Sequence, residues 1–474
     1  MSSSMLQFVR LSAAMPEKRD AETRALDFNE IYRRFQRPQA SAQASRCEQC
    51  GIPFCQIHCP LQNNIPDWLM LASAGRLEEA YRVSSATNTF PEICGRICPQ
   101  DRLCEGMCVL EQSGHETVTI GAVEKFITDT AWEEGWVQGP KPAQERRQSI
   151  GIIGAGPGGL AAAEALRGRG FQVHIYDRHD RAGGLLVYGI PGFKLEKDVV
   201  ERRTKLLADS GVVFHLNFEV GRDASLDDLR RKHAALLIAT GVYQPRPLSI
   251  PGATLPGVHK ALDYLIASNR AGFGEEVDPG LSAKDKTVVV IGGGDTAMDC
   301  VRTAVRQGAK SVSCLYRRDR ANMPGSQREV KHAEEEGVTF VWQTAPEVLT
   351  GDKQVTGVTC VKMHLGVADS SGRQTPTVIE GSHTTEPADF VISALGFEPE
   401  DLPQMFGAPD LTVTRWGTLK VDAALMTSLP GVFAAGDIVR GASLVVWAIK
   451  DGRDAADSIE RYLEAKSPRQ AAAE

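Results

Sequence analysis

Residues 149–177 read SIGIIGAGPGGLAAAEALRGRGFQVHIYD, and this stretch decides the fold. An apolar run leads into Gly154, Gly156 and Gly159, which form a G-x-G-x-x-G turn, and a helical pattern and a second apolar run follow. The first glycine permits the tight turn, the second lets the backbone approach a pyrophosphate, and the third lets the helix pack on the strand. The stretch therefore predicts strand, turn, helix and strand, the unit of a parallel α/β domain. The alternative is a tight strand–helix turn that binds nothing.

A second stretch repeats this unit at residues 287–318, TVVVIGGGDTAMDCVRTAVRQGAKSVSCLYRR. Two such units in one chain imply two nucleotide cofactors. They differ where the second strand ends, because Asp177 can accept hydrogen bonds from ribose hydroxyls. Arg317 and Arg318 can instead bind a 2′-phosphate through charge-assisted, bidentate contacts. The second site should therefore prefer NADPH over NADH, unless the two arginines are only a solvated strand end.

A third stretch, PGVFAAGDIV at residues 430–439, is an apolar strand that ends in Gly436 and Asp437, and a helical pattern runs from about Ser443 to Leu463. An Asp at such a strand end can hold the ribityl chain of a flavin, and the next helix N-terminus can stabilise negative charge on it. We therefore expect FAD at the first turn. The residues predicted to bind FAD are Gly154, Gly156, Pro157, Gly158, Gly159, Asp177, Arg178, Gly184, Leu185, Thr240, Gly241, Gly436 and Asp437. The residues predicted to bind NADPH are Gly292, Gly294, Asp295, Thr296, Ala297, Arg317 and Arg318.

Eight of the eleven cysteines fall between residues 47 and 108, in two compact groups. The first group is Cys47, Cys50, Cys55 and Cys59, and the second is Cys94, Cys98, Cys104 and Cys108. In a reducing compartment this density indicates metal binding rather than disulfides. Compact runs with a Cys-Pro pair, here Cys59-Pro60, resemble bacterial two-cluster ferredoxins, in which the cysteine before proline ligates the other cluster. By that logic one 4Fe–4S cluster takes Cys47, Cys50, Cys55 and a cysteine from the second group, and zinc is the competing interpretation.

The composition bounds the remaining possibilities. A chain of 474 residues with 42% hydrophobic and 24% charged residues can form two or three globular domains. The net charge of −7 argues against a nucleic-acid partner. No apolar run approaches the length of about 18 residues that a membrane span needs, and the chain start shows no export signal. We therefore expect a cytoplasmic protein. Between the cysteines, Pro66–Ala86 has apolar residues at helical spacing and predicts an amphipathic helix.

From Ser149 to about Leu463 the chain resembles the flavoprotein reductases with two dinucleotide domains, the group that includes glutathione, thioredoxin and adrenodoxin reductases. The disulfide reductases of that group need a cysteine pair beside the flavin. The corresponding stretches here, GGLLVYGIPGFK and GGGDTAMDC, contain no Cys-x-x-Cys, and Cys300 stands alone in the second predicted helix. Electrons must therefore leave the flavin by another route, which iron–sulfur clusters can provide.

The whole chain resembles the small-subunit family of bacterial NADPH-dependent glutamate synthases, through CEQCGIPFCQIHCPLQNNIPDW, TNTFPEICGRICPQDRLCEGMC and GGGDTAMD. It also resembles the N-terminal half of dihydropyrimidine dehydrogenase. The resemblance implies that Cys108 completes the first cluster and that Cys59, Cys98 and Cys104 bind the second. Either Cys94 or Glu124 is then the eighth ligand. It further implies a hetero-oligomer with a large partner that carries FMN, another cluster and a glutaminase site.

These observations together predict two Rossmann-like dinucleotide-binding domains preceded by a mainly α-helical iron–sulfur domain. The expected boundaries are 1–145 for the helical domain, 146–250 plus 405–474 for the FAD domain, and 251–404 for the NADPH domain. We expect NADPH to reduce FAD and two 4Fe–4S clusters to carry the electrons onward, with no catalytic side chain because hydride transfer needs only ring alignment. The alternatives are a related NADPH:ferredoxin-type oxidoreductase, a pyrimidine-reducing electron-input subunit, or a zinc-stabilised nucleotide-binding protein.

Overall fold

The computed structural model describes residues 6–369 and 374–466. Residues 1–5 lie outside these ranges; they begin the predicted helical domain and the chain start that shows no export signal. Residues 467–474, at the end of the predicted FAD domain, also lie outside them. Within the described residues, the part before residue 134 is helical. Its helices are α1 (Gln7–Arg10), α2 (Ala21–Arg24), α3 (Arg37–Ala44), α4 (Phe54–Ile57), α5 (Ile65–Ser73), α6 (Leu77–Thr87), α7 (Pro91–Ile97), α8 (Val109–Gln112) and α9 (Ile120–Glu133).

Strands and helices alternate from residue 149 onward, as predicted. The first elements are β1 (Ser149–Ile153), α10 (Pro157–Gly168), β2 (Gln172–Tyr176), α11 (Leu185–Tyr188), α12 (Lys197–Asp209), β3 (Val213–His215), α13 (Leu226–Lys232), β4 (Ala235–Ile238) and β5 (Gln244–Pro245). The next are β6 (Val258–Lys260), α14 (Ala261–Gly272), β7 (Thr287–Ile291), α15 (Asp295–Arg306), β8 (Ser311–Tyr316), α16 (Gln327–Glu335) and β9 (Thr339–Trp342). The last are β10 (Thr344–Gly351), β11 (Val355–Ala368), β12 (Gln374–Val378), β13 (Thr384–Pro387), β14 (Phe390–Ser393), β15 (Phe397–Glu398), α17 (Leu402–Met405), β16 (Val432–Ala434), α18 (Asp437–Arg440) and α19 (Val445–Lys466).

Two five-stranded parallel sheets carry the two predicted nucleotide units. The first has the order β16-β4-β1-β2-β3 and the second has the order β6-β14-β7-β8-β9. In both sheets the strand that begins the glycine turn lies in the centre, so the turn opens at the carboxyl edge, where parallel sheets bind ligands. Because β16 joins the first sheet from far along the chain, that sheet is discontinuous in sequence. The two parallel sheets confirm the predicted α/β class.

Two features differ from the sequence patterns. The predicted amphipathic helix over Pro66–Ala86 is two helices, α5 and α6, because the chain turns at Gly75 with φ of +75°. An antiparallel sheet of β10 to β13, which the sequence patterns did not predict, is inserted between β9 and β14 of the second parallel sheet. Neither feature alters the carboxyl edges at which the glycine turns lie.

Small residues let helices approach the first glycine turn closely. Helices α10 and α19 cross where Gly452 faces Gly158, and a Cβ on Gly452 would lie 2.1 Å from the Gly158 carbonyl oxygen. The same Cβ would lie 3.2 Å from the Ala162 nitrogen, and Ala162 and Ala455 are both buried. The crossing brings the N-terminus of α19 to the carboxyl edge of the first sheet. Across the described residues, no helix has the length and apolar character that crossing a lipid bilayer requires.

Candidate functional site

The glycines of the first turn have the geometry that their predicted roles require. Gly154 has φ of +109°, and a Cβ there would lie 2.4 Å from the Ala239 carbonyl oxygen on the neighbouring strand end. A Cβ on Gly159 would lie 2.0 Å from the Gly154 carbonyl oxygen. Gly156, by contrast, faces open space, with no atom within 4 Å of its Cβ position. The turn therefore leaves room for a phosphate at the helix N-terminus.

A cavity of about 360 Å³ opens from this turn and is bounded by all three parts of the chain. The predicted FAD residues that line it are Gly154, Gly156, Pro157, Gly158, Asp177, Leu185, Thr240, Gly241, Gly436 and Asp437. The second nucleotide unit contributes Asp295 and Thr296, and the cysteine-rich part contributes residues 95–100, among them Cys98. The Thr240 hydroxyl is buried without a hydrogen-bond partner, so the wall offers a free polar group. These features fit a bound dinucleotide that reaches toward both other parts.

Three predicted FAD residues lie outside the cavity wall but support it. Gly159 packs helix on strand, and Gly184, with φ of +55°, places its Cβ position 2.9 Å from the Gly156 Cα. Arg178 pairs with Glu400 at 2.9 Å, and its guanidinium lies 4.7 Å from the centre of the Tyr243 ring. The pair of Arg178 with Glu400 joins residues 222 positions apart, and no local pattern predicts it.

Backbone groups hold the carboxylate of Asp177 in place. One oxygen accepts a hydrogen bond from the Ala155 N–H at 2.7 Å, and the other accepts from the His179 N–H at 2.8 Å. A carboxylate has about four lone-pair sites, so it can still accept hydrogen bonds from ribose hydroxyls. The position fits the predicted role at the strand end.

Asp437 lies at the opposite side of the same cavity as the first residue of α18, after Gly436 with φ of +77°. Burial raises the pKa of Asp437 to about 6, a backbone hydrogen bond involving Ser443 lowers it, and the nearby Asp451 carboxylate raises it. The helix predicted from about Ser443 begins at Val445, and both residues line the cavity.

The second glycine turn repeats the first with one change. Gly292 has φ of +148°, and a Cβ there would lie 2.3 Å from the Ala394 carbonyl oxygen, whereas Gly294 faces open space. At the third position Ala297 is completely buried against the sheet, so this unit has room for a methyl group where Gly159 has none. Asp295 begins α15, and its Oδ1 accepts a hydrogen bond from the Ser326 N–H at 2.9 Å.

The two arginines after β8 remain available for a ligand. Arg317 is exposed and Arg318 is half-buried, and the Arg318 Nε is shielded from solvent without a hydrogen-bond partner. Over residues 6–369 and 374–466, neither arginine forms an ion pair. Two adjacent guanidinium groups without carboxylate partners suit a 2′-phosphate.

Four cysteines of the predicted first cluster line one small pocket together with apolar side chains. These are Cys47, Cys50 and Cys55 from the α3–α4 region and Cys108 from the start of α8. Burial raises the pKa of Cys47 to about 11 and that of Cys55 to about 12, and the other thiols of the group add to both shifts. Thiols that are crowded together in this way gain stability as thiolate ligands only when a metal compensates their charge.

The remaining four cysteines and Glu124 form a second group. A hydrogen bond with Cys94 is the main cause that raises the pKa of the Cys98 thiol, followed by burial, while Glu124 and Cys59 add to it. Burial raises the pKa of Cys104, and Glu105, Cys59 and Glu124 act in the same direction. Cys59, Cys94, Cys98 and Cys104 thus lie near one another and near Glu124, so both candidates for the eighth ligand adjoin this second group. Among the described side chains, no three His, Cys, Asp or Glu residues are close enough to hold a single metal ion.

Both candidates for the eighth ligand contact the same asparagine. Cys94 Sγ lies 3.7 Å from the Asn88 Oδ1, and the Asn88 Nδ2 donates a hydrogen bond to Glu124 Oε1 at 3.3 Å. Burial raises the pKa of Glu124 to about 8, while hydrogen bonds from Ser84 and Asn88 lower it.

One charged pair of the site was not predicted. Lys194 Nζ lies 2.9 Å from Asp299 Oδ1 and 3.9 Å from Glu329 Oε2, and all three residues line the cavity. The pair joins the segment after α11 to α15 and so connects the two nucleotide units. Burial raises the pKa of Asp299 to about 6, although Lys194 opposes this shift. The signal in the sequence is weak: a single lysine at the end of the apolar stretch GIPGF. Cys300, as expected, is fully buried in α15.

Comparison with known proteins agrees with this geometry. Residues 24–136 match the family model described as dihydropyrimidine dehydrogenase domain II, 4Fe-4S cluster, and residues 148–452 match the one described as pyridine nucleotide-disulphide oxidoreductase. The FprA protein of Mycobacterium tuberculosis, solved in complex with NADPH, shares the fold with a TM-score of 0.58 and 21% identity over 68% of this chain and 85% of that one. The fold and the site therefore define a pyridine-nucleotide oxidoreductase with an iron–sulfur domain.

More similar relatives narrow this class. The chain is 67% identical over 468 residues to the glutamate synthase (NADPH) small chain of Azospirillum brasilense, covering 98% of this chain and 97% of that protein. It is 47% identical over 474 residues to the protein of the same name from Escherichia coli K12, covering 98% and 100%. The chain belongs to the family of glutamate synthase (NADPH) small chains.

Proposed function

We propose that this chain is the electron-input subunit of a glutamate synthase, in which NADPH reduces FAD and iron–sulfur clusters pass the electrons to a large subunit. The observation that carries the proposal is the single cavity that borders the FAD turn, the start of α15 and the Cys98 segment. A flavin in this cavity could face both a nicotinamide donor and a cluster. The large subunit then makes glutamate from 2-oxoglutarate and glutamine.

FAD supplies the conversion of a two-electron hydride into single electrons when it is bound. The protein's own residues bind and orient. Gly154 and Gly292 form the two glycine turns. Asp177 and Asp437 lie at opposite sides of the cavity beside the first turn. Arg317 and Arg318 bind the 2′-phosphate of NADPH. Hydride transfer needs no side chain to donate or accept a proton.

The ligand sets and the domain boundaries are part of this proposal. We assign Cys47, Cys50, Cys55 and Cys108 to one 4Fe–4S cluster, and Cys59, Cys98, Cys104 and either Cys94 or Glu124 to a second. The shared pocket of the first four cysteines supports the first set. We keep the boundaries 1–145, 146–250 plus 405–474, and 251–404, which the participation of β16 in the first sheet supports. Since thiolate ligands require reducing conditions, the proposed compartment is the cytoplasm.

An exposed apolar face adjoins the first cysteine group. Ile52, Phe54 and Ile57 are exposed within the loop and short helix that also carry Cys50 and Cys55. Large exposed apolar side chains mark interaction sites, and a partner that receives electrons must approach a cluster. We assign this face to the contact with the large subunit, whose FMN, further cluster and glutaminase site the family resemblance implies.

Co-assembly tests this function. Coexpressed with the large subunit, the wild-type chain should form a complex that makes glutamate at the expense of NADPH. Ile52→Glu and Ile57→Glu should release the large subunit while the isolated chain keeps its iron and still reduces an artificial electron acceptor with NADPH. Val367→Glu alters an exposed valine on β11, outside the cysteine-rich domain, and should change neither. A wild-type chain that neither assembles nor supports glutamate formation would contradict the proposal.

A further inference from the structure

The segment between Cys98 and Cys104 lies against the second nucleotide unit. Both carboxylate oxygens of Asp101 accept the Ser326 hydroxyl at 3.1 Å, and Asp101 Oδ2 also accepts the Gln327 N–H at 3.2 Å. Just beyond this segment, Glu105 pairs with Arg328 at 2.5 Å. The cysteine-rich domain is therefore attached to the loop and helix that follow β8.

Arg102 occupies the centre of this contact. Its Nη1 donates to the Pro324 carbonyl, and its Nη2 lies 3.8 Å from Asp295 Oδ2. The Arg102 side chain is 40% exposed, so only part of its hydrogen-bonding capacity is used by the protein. Asp295 is the first residue of α15 and directly follows Gly294, whose Cβ position faces open space. The guanidinium therefore borders the helix end at which the second turn leaves room for a ligand.

The charges at the start of α15 indicate what Arg102 can bind there. A pyrophosphate at the start of α15 gains from the free N–H groups and the helix dipole, but it also meets the carboxylate of Asp295. Asp295 is partly satisfied by the Ser326 N–H. Arg102 is the cation that stands within ion-pair distance of Asp295, over the residues the structure describes. A guanidinium binds phosphate oxygens in bidentate geometry, which is stronger than a 3.8 Å contact with an exposed carboxylate.

We propose that Arg102, a residue of the iron–sulfur domain, binds the pyrophosphate of NADPH at the start of α15. The inference rests on the proposed NADPH site and adds a residue from another domain to it. Arg102 differs from Arg317 and Arg318 in what it recognises, since those two are assigned to the 2′-phosphate. Because Arg102 lies between two cluster ligands in sequence, a bound nucleotide also holds the loop that carries them.

The test uses Arg102→Gln in the full-length chain with its flavin and iron present. Glutamine keeps a neutral donor for the Pro324 carbonyl and removes the charge. The measurements are equilibrium dissociation constants for NADP⁺ and for adenosine 2′-monophosphate, a fragment that has the 2′-phosphate but no pyrophosphate. We expect NADP⁺ to bind about tenfold more weakly, as loss of a charged hydrogen bond predicts, and the fragment to bind as in the wild type. Arg317→Ala should weaken both ligands.

Controls separate the possible outcomes. Arg76→Gln changes an exposed arginine of the same domain that pairs with Glu79, and it should bind both ligands normally. Arg102→Lys, which restores the charge, should recover much of the lost affinity. Unchanged NADP⁺ binding in Arg102→Gln, or equal weakening of the fragment, would overturn the inference while the NADPH site stands. If Arg102→Gln loses iron or flavin and lysine does not restore NADP⁺ binding, the residue is structural and the inference is also wrong. A wild-type chain that does not bind NADP⁺ would remove the proposed function itself.

Discussion

At the residue scale, we propose that the two guanidinium groups that follow β8 decide the choice between NADPH and NADH. Over residues 6–369 and 374–466, Arg317 and Arg318 form no ion pair with a carboxylate, whereas Arg320 pairs with Glu334 at 2.8 Å. A charged hydrogen bond contributes about 1.5–3 kcal/mol. We therefore expect Arg317→Ala and Arg318→Ala each to raise the KM for NADPH about tenfold or more and to leave the KM for NADH nearly unchanged. Steady-state reduction of an artificial acceptor measures both constants.

Arg320→Ala is the matched control, because it removes an arginine from the same loop without touching the strand end. It should leave both KM values close to wild type. Equal losses for NADPH and NADH in the Arg317 and Arg318 variants would mean that these arginines do not recognise the 2′-phosphate.

The eighth cluster ligand is also a question about single residues. Cys94 and Glu124 both approach Asn88, so position alone does not separate them. Glu124→Ala and Cys94→Ala should differ in iron content, and only the change at the true ligand should lose a cluster. Iron analysis and EPR of the reduced protein measure this, with the buried and remote Cys360→Ala as control. If both variants keep all their iron, the ligand scheme is incorrect.

The glycines and the strand-end acid could be predicted from sequence because each role follows from neighbours in the chain. Gly154, Gly159 and Asp177 act through contacts with their own turn or the adjacent strand. Lys194 with Asp299 could not be predicted in this way, since the two side chains meet only after both nucleotide units have folded and packed together. A contact between side chains of two different nucleotide units gives no residue spacing that can be recognised in the sequence.

The secondary-structure elements, too, could be predicted only in part. The parallel strands were recognisable because they are continuous apolar runs, but β10 to β13 have mixed, partly exposed patterns that give no clear period. The break between α5 and α6 was missed because apolar spacing continues across Gly75, while a glycine with positive φ ends the helix.

Three histidines in or beside strands of the first sheet form a cluster that should make this sheet sensitive to acid. His174 on β2 and His215 on β3 are stacked 5.4 Å apart, and His233 before β4 bonds to the Tyr176 hydroxyl at 2.9 Å. Burial lowers the pKa of His233, and together with the smaller effects of His174, Lys232 and His215 it brings this pKa from 6.5 to about 4. The unfolded chain therefore takes up this proton at a higher pH than the folded chain does.

The free energy of unfolding should therefore decrease as the pH falls from about 6.5 to about 4. Below that range, His233 should cause no further decrease. The contribution is at most about 3 kcal/mol in the free energy of unfolding. Urea unfolding followed by flavin release at several pH values should show this slope, and His233→Gln should flatten it. His383→Gln, at an exposed histidine, should keep the wild-type slope. A His233→Gln slope equal to wild type would show that this histidine does not set the acid sensitivity.

On the scale of the whole molecule, buried ion pairs hold the three parts together. Arg203 of α12 pairs with Glu92 of α7 at 2.8 Å, and Arg24 of α2 pairs with Glu336 after α16 at 2.9 Å. All four side chains are at most 5% exposed, and removing one partner of such a pair costs about 3–5 kcal/mol. The order of the helical part and the two nucleotide units along the chain was predictable. That all three border one cavity was not, because it depends on these contacts between distant segments.

An anaerobic titration of the full-length chain with NADPH, followed by absorbance and EPR, tests whether this chain takes electrons from NADPH onto a flavin and holds 4Fe–4S clusters. We expect NADPH to bleach the flavin absorbance and, in a second sample, chemical reduction to give cluster signals of the 4Fe–4S type. In a sample reduced by a stoichiometric amount of NADPH alone, the flavin should be reoxidised when the large subunit, 2-oxoglutarate and glutamine are added. A colourless protein, or a flavin that stays oxidised in excess NADPH, would show that NADPH does not reduce a flavin in this chain.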